Sequence, residues 1–349
     1  MIRRRYERVP RADGASRAWR MSATPVLLAR VAACATACSR ARYLITDFDG
    51  TCTATDTTPI VPHLAARASP TPSAVLGRFG QLEDLYLSML GKCRADFMDG
   101  GPPSQQQLGR FDRPGLEAAL AAMDAVSDAV TDRVSESGIL AGIEEGEVAP
   151  ALAEWTGAPQ PPIRPPALRD GCTETLAAAA ADGWRLGVLT LNWCAPLVHA
   201  YLPLLRAAQA HVWSNSIDAA GVISSEVNGA AAKRAVIARL VRESRQAEPR
   251  GGQEAPADRG AAPPPQVVYI GDSATDLLAM LEADVGILVG NSESTRHIAR
   301  RFGVRLEPLP LEGDARLPAE GVVWEAGSWE EIRRCLGVPL PAPVDAPAP

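Results

Sequence analysis

The sequence predicts an α/β fold: a doubly wound parallel sheet with an inserted α-helical cap. Three observations point there. From residue 167 on, short apolar runs alternate with stretches of helical spacing, the order that builds a parallel sheet covered by helices on both faces. Residues able to do chemistry close several of those runs. Between the first run, at 43–45, and the next, at 185–189, the stretch 56–166 has helical periodicity and almost no strand signal.

The first run belongs to YLITDFDGTCT, residues 43–53. Strand side chains alternate, so Asp47 and Asp49 start on one side while Phe48 is directed to the other. Gly50 then lets the chain leave the strand tip sharply. Two carboxylates crowded at the end of a buried strand need a cation or a proton to offset their repulsion, and a hard, oxygen-seeking ion such as Mg2+ suits them. Taken alone, the same letters also describe an ordinary turn.

Bulk properties limit the function classes. A chain of 349 residues can bury one large core or two smaller ones, and 46% hydrophobic with 22% charged residues is ordinary for a globular protein. No apolar run reaches bilayer length, which argues against a membrane protein. Residues 1–42 hold ten arginines against Glu7 and Asp13, so with a net charge of −6 for the whole chain the remainder carries −14. An acidic body argues against nucleic acid as a partner. Seven scattered cysteines without a CxxC pair fit reduced thiols in an intracellular compartment, and four histidines without ligand spacing disfavour a zinc site.

Residues 1–40, rich in Arg, Ala and Ser and poor in acids, read as a disordered segment or transit peptide for a mitochondrion or chloroplast. The alternatives are a basic tail, or a start at Met21 with a cytoplasmic product. The core is assigned to 41–55 and 167–312 and the helical cap to 56–166. In the cap, Leu82, Leu85, Tyr86 and Met89 recur at helical spacing, as do Leu116, Leu120, Met123, Val130 and Val134. In the core, helices are expected at 170–181, 197–208 and 277–283, and strands at 185–189, 211–214, 266–270 and 285–289. Val236, Ile237, Leu240 and Val241 mark the apolar face of one more helix. The stretch 246–265, dense in Gly, Pro and charge, reads as a flexible loop. A strand–helix extension (313–338, strand 321–324, helix 329–336) and a disordered tail (339–349) complete the chain.

Doubly wound sheets bind ligands beyond the carboxyl ends of their strands. Asp47 and Asp49 close the first strand, Thr190 the second and Asp272 the strand at 266–270; Asp276 follows at a helix start, and Lys233 opens the helix before the loop. Each has a plainer reading. A strand-end Thr is often structural, and Arg234 competes with Lys233. GDSATD, at 271–276, also suits a turn and helix cap. Asn192 either touches phosphate or caps the next helix, and Trp193 and Cys194 read as packing.

The order DFDGT, strand-end Thr, Lys, GDSATD resembles the haloacid dehalogenase superfamily in its phosphatase branch, over about residues 43–309. The segments DFDGTCTATD, ESGIL (136–140), LTLNWC (189–194), WSNSI (213–217) and YIGDSATDLLAMLEADVGI are similar to the phosphatase domain of plant thiamine monophosphate phosphatases. Those proteins usually also carry a TenA-like helical domain, for which this chain has too little room. The resemblance implies a Rossmann-like fold and an aspartyl-phosphate mechanism. Asp47 would be the nucleophile and Asp49 the acid and base. Thr190 and Asn192 would bind phosphate together with Lys233, which also assists catalysis. Mg2+ would be held by Asp47, Asp49 through its backbone carbonyl, Asp272 and Asp276, the last either completing the shell or orienting Lys233. The substrate would be a small phosphorylated metabolite, thiamine monophosphate first. A pyrimidine nucleotide or phosphoserine is the alternative within the same chemistry, and a catalytically silent binding protein the alternative outside it.

Overall fold

Strand β1, Arg42–Thr46, lies at the middle of the sheet, and its last three residues are fully enclosed. The computed structural model describes residues 42–98, 110–246, 266–310 and 317–339; the expected leader at 1–40, nearly all of the 246–265 loop and the tail beyond 339 lie outside them. β1 pairs in parallel with β2, Trp184–Leu189, on one side and with β6, Val267–Gly271, on the other. β3, His211–Trp213, extends the β2 side. β7, Val285–Val289, then β9, Val322–Ala326, and β8, Arg305–Pro308, extend the β6 side. All seven strands run parallel, in the order β3-β2-β1-β6-β7-β9-β8. The sequence direction reverses between β1 and β6, which places a switch-point crevice beyond Thr46 and Gly271.

The strand composition follows from this placement. β6 (VVYIG) and β7 (VGILV) are buried at every position because helices cover both faces, so their sequences are continuous apolar runs without alternation. One face packs Leu44, Val188, Ile270 and Ile287 against Leu176 and Trp329. The other packs Ile45, Tyr269 and Leu288 against Ile237, Leu277 and Ile298. The β9 strand of the C-terminal segment is thus an internal member of the main sheet.

Before the core helix Cys172–Ala181, the described residues between β1 and β2 form four helices: Ile60–Ala68, Pro72–Met98, Arg113–Ser137 and Glu145–Gly157. They share their own core of Ile60, Leu82, Val134, Leu140 and Trp155, into which Leu197 and Ile223 also reach. Ile223 belongs to a small hairpin of β4, Ser216–Ile217, and β5, Ile223–Ser224, which touches the helices through Ser135 Oγ, acceptor of the Ile223 N–H at 3.1 Å.

Three features differ from the sequence expectation. The helix expected over 197–208 is two pieces, Ala195–Tyr201 and Leu204–Ala207, because Pro203 interrupts the amide ladder. The helix Glu293–Arg301 is strongly polar on its outer side, and β8 is an edge strand with exposed ends, so neither shows an apolar run.

Packing is close where β7 meets the helix Leu277–Glu282. A Cβ built on Gly286 would lie 2.3 Å from the Met280 carbonyl oxygen, a backbone atom with no room to yield. Gly286→Ala is therefore expected to lower unfolding stability by about 2 kcal/mol, read from urea denaturation; unchanged stability would contradict this packing.

Candidate active site

The loop that carries Asp47 and Asp49 begins where β1 ends. Asp47, 5% exposed, projects into a cavity of about 720 Å3 at the carboxyl edge of the sheet, between the core and the helical insertion. Gly50 turns the chain with φ +74°, and a Cβ there would fall 2.4 Å from Asp272 Oδ2. Glycine is required twice: for the backbone conformation and for the approach of the Asp272 carboxylate. Thr51 Oγ1 donates to Asp272 Oδ1 at 2.8 Å and sets that carboxylate.

Lys233, 1% exposed, is the buried ammonium of the site. It projects from the helix Ala230–Gln246, with Nζ 2.7 Å from Asp276 Oδ1 and 3.2 Å from Asp47 Oδ1. Arg234 instead joins a half-exposed cluster with Glu117, Glu282 and Arg113. Asp276 is fully enclosed and its acceptors are spent: Oδ1 on Lys233 and Tyr269 Oη (2.6 Å), Oδ2 on Ser273 N (3.0 Å), Ser273 Oγ (2.7 Å) and Asp272 N (3.3 Å). The turn and capping box expected of Ser273 and Asp276 are present too, so that reading and a role in the site coexist.

Asp49 is turned toward the insertion. Its Oδ1 accepts from Thr57 N at 2.7 Å and from the Thr57 hydroxyl, and its Oδ2 accepts from Asn192 Nδ2 at 2.8 Å. Asn192 Oδ1 accepts from Cys194 N at 2.9 Å, so this side chain holds the turn that leads into the next helix, whose N-cap is Cys194, as well as Asp49. The Asn192 amide nitrogen donates to Asp49 Oδ2 and, at 3.0 Å, to Thr57 Oγ1, and the residue lines the cavity. Thr190 is buried at the end of β2 and lines the cavity. Its amide donates to Trp213 O and its hydroxyl oxygen accepts from Asn192 N. The hydroxyl proton remains available to a ligand.

The electrostatics follow from one ammonium among several buried acids. Burial, followed by the charge of Asp276, raises the Asp47 carboxyl well above its ordinary range, with Lys233 opposing. Burial and the nearby Asp56 lift Asp49 to about 6, and burial with Asp276 lifts Asp272 to about 7. For Asp276, burial is outweighed by Lys233 and the converging donors, and its carboxyl is lowered. Lys233 is pulled down by burial but held further up by Asp276 and Asp47.

Such a site has the donor set for a divalent cation. One oxygen each of Asp47, Asp272 and Asp276 lie within 4.8 Å of one another. Asp47 Oδ1 is buried and makes no hydrogen bond, its contact with Lys233 being ionic. The loop carbonyls add to this. Those of Asp47, Phe48, Gly50, Thr51 and Cys52 all accept hydrogen bonds, whereas among the described residues that of Asp49 accepts none. These oxygens fit a hard ion such as Mg2+.

The fold brings the expected Asp47, Asp49, Thr190, Asn192, Lys233 and Asp272 to one cavity, with Asp276 behind Lys233, and adds Thr51, Thr57, Arg169 and Trp329, which the sequence did not single out. Arg169 donates from Nε to Gly50 O at 2.8 Å and Trp329 from Nε1 to Thr51 O at 3.0 Å. Neither belongs to a motif, and no local signal marks them. The five described cysteines are all free. Among the described residues, no helix is long and apolar enough to cross a membrane.

No family model matches the sequence. The chain is 25% identical over 334 residues to the "Bifunctional TH2 protein, mitochondrial" of Arabidopsis thaliana, covering 83% of this chain and 48% of that protein. It thus spans about half the length of this curated relative. Among solved structures, a cytosolic 5'-nucleotidase IIIB bound to cytidine is 14% identical with a TM-score of 0.45, covering 90% of this chain and 88% of that one. A phospho-aspartyl intermediate analogue of phosphoserine phosphatase is 12% identical with a TM-score of 0.41, covering 74% of this chain and 91% of that one. By its sheet and its motif order, the chain resembles the haloacid dehalogenase-like phosphatases.

Removing the buried ammonium would leave uncompensated carboxylates. Lys233→Met is expected to lower stability by about 3–5 kcal/mol in urea denaturation. Arg234→Met, losing only half-exposed pairs, should cost less than about 1 kcal/mol. Equal costs would refute the assignment of Lys233 as the site cation.

Proposed function

We propose that the chain is a Mg2+-dependent, haloacid dehalogenase-like phosphomonoesterase working through an aspartyl-phosphate, with thiamine monophosphate as its substrate. The observation that carries the chemistry is the pairing of two differently held aspartates: Asp47 against Lys233, and Asp49 fixed by Thr57 and Asn192.

In the first half-reaction, an Asp47 carboxylate oxygen attacks phosphorus. The bond from phosphorus to the leaving oxygen breaks as Asp49 gives that oxygen its proton. In the second, Asp49 takes a proton from water, the water oxygen attacks phosphorus, and the bond to Asp47 breaks, releasing inorganic phosphate and restoring both carboxyls. Lys233 offsets the charge shared by Asp47 and the phosphoryl oxygens, and the Thr190 hydroxyl donates to one of those oxygens. Asp276, saturated by other donors, holds Lys233 in place, and Asn192 serves with Thr57 to aim Asp49. Asp47, Asp272 and the Asp49 carbonyl would hold Mg2+, which when bound supplies positive charge against the phosphoryl group. The helical insertion acts as the cap over this reaction.

The wall above the aspartates supports the choice of substrate. Asp56, Glu83 and Asp128 line the cavity with the aromatic rings of Phe79 and Tyr86, and the helices of the insertion contribute no Lys or Arg to it. Burial raises the Glu83 carboxyl, with smaller contributions from Asp56 and Asp84. A cationic aromatic leaving group such as a thiazolium alcohol suits acids and ring faces together, whereas the carboxylate of phosphoserine would be repelled. An organellar address at 1–40 is part of the same reading.

The decisive experiment is phosphate release from a panel of phosphomonoesters with Mg2+ and with EDTA. Thiamine monophosphate should lead the panel, activity should vanish with EDTA, and Asp47→Asn should lower kcat by about 10⁴ or more. Combining Glu83→Gln with Asp128→Asn should raise KM for thiamine monophosphate about tenfold. Another preferred ester keeps the chemistry and discards this substrate. No release from any ester by folded, Mg2+-supplied protein rejects the phosphatase reading.

A further inference from the structure

Three consecutive carbonyls just after Asp49 are held from far along the chain. Gly50 O accepts from Arg169 Nε at 2.8 Å, Thr51 O from Trp329 Nε1 at 3.0 Å, and Cys52 O from Arg169 N at 2.8 Å. The middle contact leads furthest. Trp329 opens the helix Trp329–Cys335 and is 1% exposed. Its position is fixed on the other side too, since Thr175 Oγ1 donates to its carbonyl at 3.1 Å. Thr51, whose carbonyl it grips, passes its own hydroxyl proton to Asp272 Oδ1 at 2.8 Å.

A buried indole N–H usually takes a partner, but the fold does not always supply one. Trp184 shows this: it is buried in the same core, and its Nε1 makes no hydrogen bond. The Trp329 indole instead points its N–H at the loop between the two aspartates and Asp272. Outer partners of this kind fix the orientation of a ligating carboxylate and commonly change metal affinity when removed.

We propose that Trp329 is a positioning residue for the divalent-cation site: its indole N–H fixes Thr51, and Thr51 fixes the Asp272 carboxylate. The proposal rests on the reading of Asp47 and Asp272 as metal ligands. It makes the C-terminal helix, remote from every motif, a working support of the site.

The test is Mg2+ binding by titration calorimetry on the full chain, for the wild type, Trp329→Phe, Thr51→Val and the double variant, with thermal melts of the metal-free proteins. Phenylalanine keeps the ring in the core and removes only the N–H, so Trp329→Phe should stay folded and bind Mg2+ about tenfold more weakly. Thr51→Val should do the same. Because both cut one chain of bonds, the double variant should bind no worse than the weaker single. Wild-type affinity in Trp329→Phe would overturn the proposal, as would losses that multiply in the double variant. Should Trp329→Phe fail to fold, Thr51→Val alone decides, and wild-type affinity there is again fatal. A wild-type protein that binds no Mg2+ would instead fell the metal reading of the site, a different failure from a variant that binds normally.

Discussion

The site depends on one buried ion contact, the Lys233 ammonium between Asp276 and Asp47. Burying a charge is costly unless partners repay it, and a lone carboxylate in the place of Asp47 would take up a proton. Lys233 opposes that tendency, while five donors on Asp276 keep the opposite partner ionised. The geometry thus separates two acids by environment: Asp276 is saturated by donors, whereas Asp47 lines the cavity and its buried Oδ1, free of hydrogen bonds, meets only the ammonium. Asp49 belongs to neither state, being held from the insertion side by Thr57 and Asn192.

Around this contact, the sheet and the insertion have different tasks. The parallel sheet brings the ends of β1, β2 and β6 to one edge, so residues as distant in sequence as Asp47, Thr190 and Asp272 face one cavity. The insertion then closes that edge with a wall of its own sign. Its acids Asp56, Glu83 and Asp128 form the roof of the cavity, over a floor in which Lys233 stands among Asp47, Asp49 and Asp272.

Much of this was legible in the sequence because strand ends carry their chemistry locally. A buried parallel strand announces itself as an apolar run, and the residue that ends it is then a site candidate; Asp47, Thr190 and Asp272 were found in this way. Lys233 and Arg234 could not be separated by composition. What separates them is the helical face: one faces the buried acids, the other the half-exposed Glu117 and Glu282. The hydrogen bond from the Asn192 amide to Asp49 joins residues 143 apart in the chain and has no local signature. Arg169 and Trp329 were beyond reach, because they meet the loop that carries Asp47 and Asp49 across 119 and 278 residues of chain. Contacts of that separation leave no periodicity and no motif behind.

The helix that carries Lys233 has one further tie. Its first residue, Ala230, donates its N–H to Asp124 Oδ2 at 2.9 Å, and a Cβ on the preceding Gly229 would lie 2.1 Å from the Asp124 carboxyl carbon. Asp124 belongs to the inserted helix Arg113–Ser137, so a residue of the roof serves as the N-terminal acceptor of a helix in the floor. Swinging that roof helix outward would strip the floor helix of its acceptor, one turn below the ammonium. The two helices are therefore mechanically joined: an outward shift of the inserted one would draw the first turn of the lysine helix along with it or break that bond.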